Sequence, residues 1–162
     1  FSIYWGMLSF LVSVFGKRIM SPDFDASKMD NLSQGLASLY KRNMFKTPMV
    51  LYRLKKTLND YALVFKQYDL VLSPVAAHTT PKLGWLSPSQ DFDVLFDRLL
   101  RYVSFTPLNN ASGSPAISLP MGVTTEGLPI AVQFSAAHGD ERSLLEISYA
   151  LEQAHPWRRI QD

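Results

Sequence analysis

The stretch 102–135, YVSFTPLNNASGSPAISLPMGVTTEGLPIAVQFS, contains the two short apolar runs that decide the fold. The runs 116–121 and 129–135 have the length of β-strands and are bounded by proline and glycine. The connection 122–127 begins and ends with glycine, a residue that adopts positive φ readily, so an antiparallel hairpin is the simplest link. We therefore expect two neighbouring strands of one sheet.

The side chains of these two strands divide into an apolar face and a small polar face, because successive residues of a strand point to opposite sides. The apolar face contains Ile117, Leu119, Ile130, Val132 and Phe134, and the other face contains Ala116, Ser118, Ala131, Gln133 and Ser135. Small residues are expected beneath a closely approaching element or beside a ligand cavity. Gln133 would need a hydrogen-bond partner there. Both a satisfied core glutamine and a role at a site remain open.

The residues before the hairpin are expected to leave a helix and form a turn. Proline disfavours helix in the preceding residue, so Thr106 and Pro107 should end a helical pattern. Residues 109–115, NNASGSP, have the composition of an ordered turn.

Apolar residues at helical spacing predict four helices in the rest of the chain beyond residue 26. One begins near Ser27 and ends at the basic pair Lys41 and Arg42. The others have Thr47, Asp91 and Asp140 as expected N-cap residues. The helix after Thr47 leads into the apolar run 68–73, which we interpret as an interior strand stopped by proline.

The loop 74–88 follows that strand and is rich in proline. Loops at strand ends in α/β proteins often bind ligands, so His78 is the histidine expected nearest to a site. An ordinary surface position is the alternative for His78.

Residues 1–15 form the most hydrophobic stretch and carry no charge before Lys17 and Arg18. A membrane-spanning helix needs about 20 apolar residues, and this run is shorter and interrupted by serine and glycine. It also lacks the basic residues that precede the apolar core of a signal peptide. We expect a buried helix of a larger domain, with membrane association as the alternative. The first residue, Phe1, favours a processed chain or a piece of a longer one.

Composition excludes several classes of site. The net charge of +2 is too small to indicate nucleic-acid binding, and the absence of cysteine excludes disulfides and Cys-ligated metal. It also favours a reducing compartment, so we expect a cytoplasmic protein. His138 and His155 bracket the last predicted helix, about 20 Å apart by its rise, and cannot share a metal. Phosphate-binding loops and G-x-S-x-G are missing, so we expect neither metal nor cofactor.

Several segments together resemble the C-terminal part of the amidase-signature family. They are TPLNNASGSPAISLPMG at 106–122, GLPIAVQ at 127–133, DERSLLEISYALEQAHPW at 140–157, and the upstream pieces YDLVLSP at 68–74 and TPKLG at 80–84. The resemblance implies an α/β fold with a mixed β-sheet flanked by helices, and a serine-nucleophile amide hydrolase. The catalytic set of that family is a lysine, a cis-peptide serine and a nucleophilic serine.

This chain departs from the family in lacking the Gly/Ser-rich segment that carries the two serines. Its one Gly–Ser step, Gly113 and Ser114, runs directly into Pro115. We therefore predict that 1–162 is the C-terminal portion of a single amidase domain, that it contains no catalytic residue, and that it is inactive alone. Residues 1–66 should be mainly helical, 67–135 should hold strands, loops and one helix, and 136–162 the terminal helix and tail.

The resemblance also implies where substrate would be contacted. The segment 102–110 corresponds to the acyl-binding side of the family pocket, so Tyr102, Thr106 and Asn109 are the predicted substrate-binding residues. A purely local role remains open for Asn109 and Asn110, whose side chains could hold the turn through backbone hydrogen bonds.

Three functions are compatible with the sequence. The first is an amidase acting through a serine acyl-enzyme, whose expected partners are a small-molecule amide and the remaining N-terminal part in the same or a separate chain, with a homodimer as a further option. The second is a non-catalytic amidase-like module that binds a partner or completes another fold. The third is the A-type subunit of a glutamyl-tRNA(Gln) amidotransferase.

Overall fold

The computed structural model describes residues 1–157 of the chain, which divide into two compact units. The first unit comprises Phe1–Lys55 and Pro81–Arg101, and the second comprises Lys56–Thr80 and Tyr102–Asp162. The α-helices are α1 (Ser2–Ile19), α2 (Asn31–Arg42), α3 (Thr47–Val64), α4 (Phe92–Tyr102), α5 (Pro107–Ser112) and α6 (Glu141–Ala154), and the strands are β1 (Leu70–Pro74), β2 (Ala116–Val123) and β3 (Pro129–Ala136). The end of the expected C-terminal tail lies outside the described residues.

Helices α1 and α2 form the main contact of the first unit. Gly6 allows the close approach, because a Cβ atom there would lie 2.7 Å from the Leu36 carbonyl oxygen. The helix expected over 1–15 is therefore present, but Gly6 and Gly16 are its buried residues, whereas Val14 and Ile19 are exposed. Among the described residues, every helix is too short or too polar to cross a bilayer.

Helix α2 begins later than the sequence pattern indicates. Asp30 is its N-cap: Ser33 donates a backbone hydrogen bond to Asp30 Oδ1 (2.9 Å) and its hydroxyl donates to Oδ2 (2.7 Å). These two bonds lower the pKa of the Asp30 carboxyl. The predicted start near Ser27 was wrong, because Ser27 belongs to a separate 3₁₀ turn over Ala26–Lys28 that is capped by Asp25.

The N-cap predicted at Thr47 was also wrong. Thr47 is the first residue of α3 and already has helical dihedral angles, φ −52° and ψ −48°. Its hydroxyl donates to the Met44 carbonyl oxygen (2.5 Å) and lies 2.8 Å from the Tyr40 hydroxyl. The threonine therefore joins α3 to the preceding 3₁₀ turn, Met44–Lys46, and to α2.

The second unit contains the sheet, whose strand order is β1-β3-β2 with both pairs antiparallel. The predicted hairpin is confirmed, with Ile117 opposite Phe134 and Leu119 opposite Val132. The register confirms the division into an apolar and a small polar face on both sides of an irregularity between Pro120 and Gly122. The α/β class is confirmed, and the described part of the sheet is a small antiparallel one.

Strand β1 was predicted to be interior, and within the described residues it is an edge strand paired with β3. Its apolar composition did not report the number of its neighbours: Leu72 is 61% exposed. Burial is instead greatest on the small polar face, where Ser135 is 1% and Gln133 7% exposed.

The turn predicted over 109–115 was wrong, because Pro107 opens α5. Proline is well tolerated at the first helical position, where its missing N–H would have no intrahelical partner. Gly113 then ends α5 with φ +73°. The predicted caps of α4 and α6 are confirmed: Asp91 Oδ1 accepts from the Asp93 N–H (2.9 Å), and Asp140 accepts from the Ser143 N–H.

Candidate active-site cleft

A cleft of about 390 Å³ lies in the second unit at the end of β1. One side is the loop 74–80 that follows β1, and the other is formed by 129–131 at the start of β3, with Tyr102 between them. Antiparallel pairing places these segments together, because Pro74 is the register partner of Val132. The cleft is therefore fixed by the sheet.

The loop side of the cleft is fastened to the end of α4. The Ala77 N–H donates to the Tyr102 carbonyl oxygen at 3.0 Å. His78 Nδ1 donates to the Thr79 carbonyl oxygen at 2.8 Å, which fixes the orientation of the imidazole. The His78 and Tyr102 rings lie 4.8 Å apart between centroids, with their planes at 42°. The two aromatic side chains thus form one wall of the cleft.

A hydrogen-bonded cluster around Asn109 fastens α5 to β3. Asn109 Nδ2 donates to Ser135 Oγ (2.9 Å) and to the Ser114 carbonyl oxygen (3.2 Å). Asn109 Oδ1 accepts from Gln133 Nε2 (2.9 Å) and from Ser135 Oγ (3.2 Å). The partner that a buried Gln133 requires is therefore Asn109, and the small face of the sheet is the one on which α5 is held.

The three residues predicted to contact substrate occupy different surroundings. Tyr102 lines the cleft. Thr106 is the half-buried residue immediately before α5, and its carbonyl oxygen accepts from the Asn110 N–H at 3.4 Å. Asn109 lies in the cluster with Gln133 rather than in the lining of the cleft.

His78 and Ile130 join Tyr102 in the cleft. The sequence identified His78 through its position in a loop after a strand. It gave no sign of Ile130, because an apolar strand residue looks the same whether it borders a cleft or a core. Only the fold brings the two segments together.

The other histidines lie where the sequence indicates, on either side of α6. His138 Nδ1 donates to the Gly113 carbonyl oxygen (3.1 Å), and His155 is the C-cap residue. Across residues 1–157, no group of three or more histidine, cysteine, aspartate or glutamate side chains is arranged to hold a metal ion.

Comparison with known proteins gives consistent matches. The sequence model of the family described as Amidase matches residues 17–145. The protein named "Putative amidase AmiC" of Mycobacterium leprae (strain TN) is 40% identical over 161 residues, which cover 99% of this chain and 34% of that protein. The A-type subunit of the glutamyl-tRNA(Gln) amidotransferase of Thermodesulfovibrio yellowstonii (strain ATCC 51303 / DSM 11347 / YP87) is 29% identical over 163 residues, covering 90% of this chain and 32% of that protein.

A solved structure of 6-aminohexanoate cyclic dimer hydrolase superposes with a TM-score of 0.78 at 26% identity. The match covers 99% of this chain and 36% of that one. This chain therefore spans about a third of the length of these relatives.

Proposed function

Since the chain belongs to the amidase family, we propose that it forms the C-terminal third of an enzyme that hydrolyses a carboxylic amide through a serine acyl-enzyme. The nucleophilic serine, the proton-relaying lysine and the oxyanion-binding amides come from the remaining part of the enzyme. In this reaction the serine oxygen bonds to the carbonyl carbon, the amine leaves with a proton, and water then hydrolyses the ester.

The cleft beside Tyr102 is the observation that supports this proposal best. Its volume of about 390 Å³ is in the range of small-molecule sites, about 300–1,000 Å³. We assign Tyr102 to direct packing against the substrate. Thr106 and Asn109 complete this side of the pocket, and the bonds of Asn109 to β3 hold the segment after Tyr102 in place. The chain thus orients the amide and excludes water from it.

The amidotransferase remains the second candidate, supported by the 29% identity over most of the chain. In that function the enzyme would hydrolyse glutamine and deliver ammonia to a charged tRNA. The non-catalytic module is the third. The cytoplasmic location and the homodimer stay predictions.

The test is hydrolysis by the full-length protein of acetanilide, hexanamide, and glutamine with and without charged tRNA. We expect release of aniline or ammonia from the simple amides without tRNA. Tyr102→Leu should lower kcat/KM about tenfold, the cost of a lost aromatic contact of roughly 1.4 kcal/mol. Tyr149→Leu, at an exposed position on α6, should leave the rate unchanged.

Two outcomes would contradict this proposal. Hydrolysis of glutamine alone, dependent on charged tRNA, would establish the amidotransferase. Absence of hydrolysis of every substrate in the set would favour the non-catalytic module.

A further inference from the structure

The lining of the cleft carries no aspartate, glutamate, lysine or arginine among the residues that the structure places there. Proline, valine, alanine and isoleucine form most of the surface, and the hydroxyls of Thr79 and Thr80 are its small polar groups. An ammonium or carboxylate group bound there would lose water without gaining a counter-charge, which is costly. Charge complementarity therefore favours an uncharged occupant.

The shape of the two sides favours a flat occupant. One wall is the pair of rings of His78 and Tyr102, held at 4.8 Å by the loop-to-helix hydrogen bond of Ala77. The opposite rim presents Ile130, an apolar side chain that remains 43% exposed at the start of β3. Aromatic rings pack favourably against a third ring in tilted or offset arrangements. An exposed isoleucine across from them provides the second apolar surface.

We propose that this cleft binds the uncharged aromatic substituent of the amide substrate, with His78, Tyr102 and Ile130 as its specificity-determining residues. The inference rests on the proposed amide hydrolysis and adds the class of amide. It separates this chain from a glutamine hydrolase, because glutamine carries both an ammonium and a carboxylate group that this lining does not match.

The experiment measures binding without turnover in the full-length protein, by calorimetry. The probe is acetophenone, an uncharged aromatic ketone with no amide bond, and its saturated counterpart is cyclohexyl methyl ketone. We expect acetophenone to bind about threefold to tenfold more tightly, as aromatic contacts allow. Tyr102→Leu should abolish this preference.

Ile130→Asp should weaken acetophenone binding roughly tenfold, because it replaces the apolar rim with a charge. The matched control is Val123→Asp, which adds the same charge to an exposed position of the same hairpin outside the cleft and should leave binding unchanged. Equal affinities for the two ketones, or no difference between Ile130→Asp and wild type, would overturn the proposal. The second result would mean that other parts of the protein fill the cleft.

The two proposals fail separately. If the full-length protein hydrolyses no amide but the ketone pattern is found, amide hydrolysis is wrong and the aromatic cleft stands. If amides are hydrolysed and the ketone pattern is absent, the aromatic cleft is wrong and amide hydrolysis stands.

Discussion

Truncation of Asn109 to alanine should destabilise the protein through the partners that it leaves behind. Asn109 is the hydrogen-bond partner of the Ser135 hydroxyl and the Gln133 amide, and it also donates to the Ser114 carbonyl oxygen. Ser135 is 1% exposed and Gln133 7% exposed, so neither can turn to bulk water. The substitution therefore creates two buried polar groups without partners.

The expected loss follows from those two groups. An unsatisfied buried polar group costs about 1–3 kcal/mol, so two cost about 2–6 kcal/mol. Asn109 is only half-buried, and water entering the space of its side chain recovers part of the bonding. We therefore expect the lower half of the range, a destabilisation of about 3 kcal/mol.

The assay is urea denaturation of the full-length protein, with Asn110→Ala as the matched control. Asn110 is the exposed neighbour in the same helix, and its substitution should change the free energy of unfolding by less than about 0.5 kcal/mol. Adding Gln133→Leu to Asn109→Ala should restore about 1 kcal/mol, because the unpaired amide is removed. Equal effects of the two asparagine substitutions, or no recovery in the double variant, would refute the reasoning.

Two further predictions concern the first unit. Gly6→Ala should lower the free energy of unfolding by about 1–2 kcal/mol, because a Cβ 2.7 Å from the Leu36 carbonyl oxygen forces α1 and α2 apart and outweighs the helix propensity gained, whereas Ser38→Ala on the exposed side of α2 should be neutral. Asp30→Asn should reduce the loss of stability in acid: the Ser33 hydrogen bonds lower the pKa of Asp30, so the stabilisation is complete above its ordinary value of 3.8 and is lost as pH falls through the lower folded value. Denaturation from pH 5 to pH 2 measures this, and identical pH profiles for the two proteins would contradict it.

The hairpin could be predicted from the sequence because its information is local. Alternation in each strand and glycine at both ends of the connection determine the pairing of β2 with β3. The caps Asp91 and Asp140 are equally local. Pro107 was misinterpreted for a local reason too, because the same ring that ends one helix suits the first turn of the next.

The remaining features depend on contacts between distant residues. An apolar run such as that of β1 reports burial in general and not how many strands pair with it. The contact of His78 with Tyr102 requires the loop after β1 to return to the end of α4. The need of Gln133 for a partner could be stated from its position, but the identity of Asn109 as that partner required the fold.

The central claim is that this chain provides a wall of the active site and that the nucleophile lies elsewhere in the protein. The most direct test is labelling of the full-length protein with a fluorophosphonate, followed by peptide mapping of the adduct. We predict one labelled serine outside residues 1–162 of this sequence. An adduct on a serine within it, such as Ser114, would contradict the account.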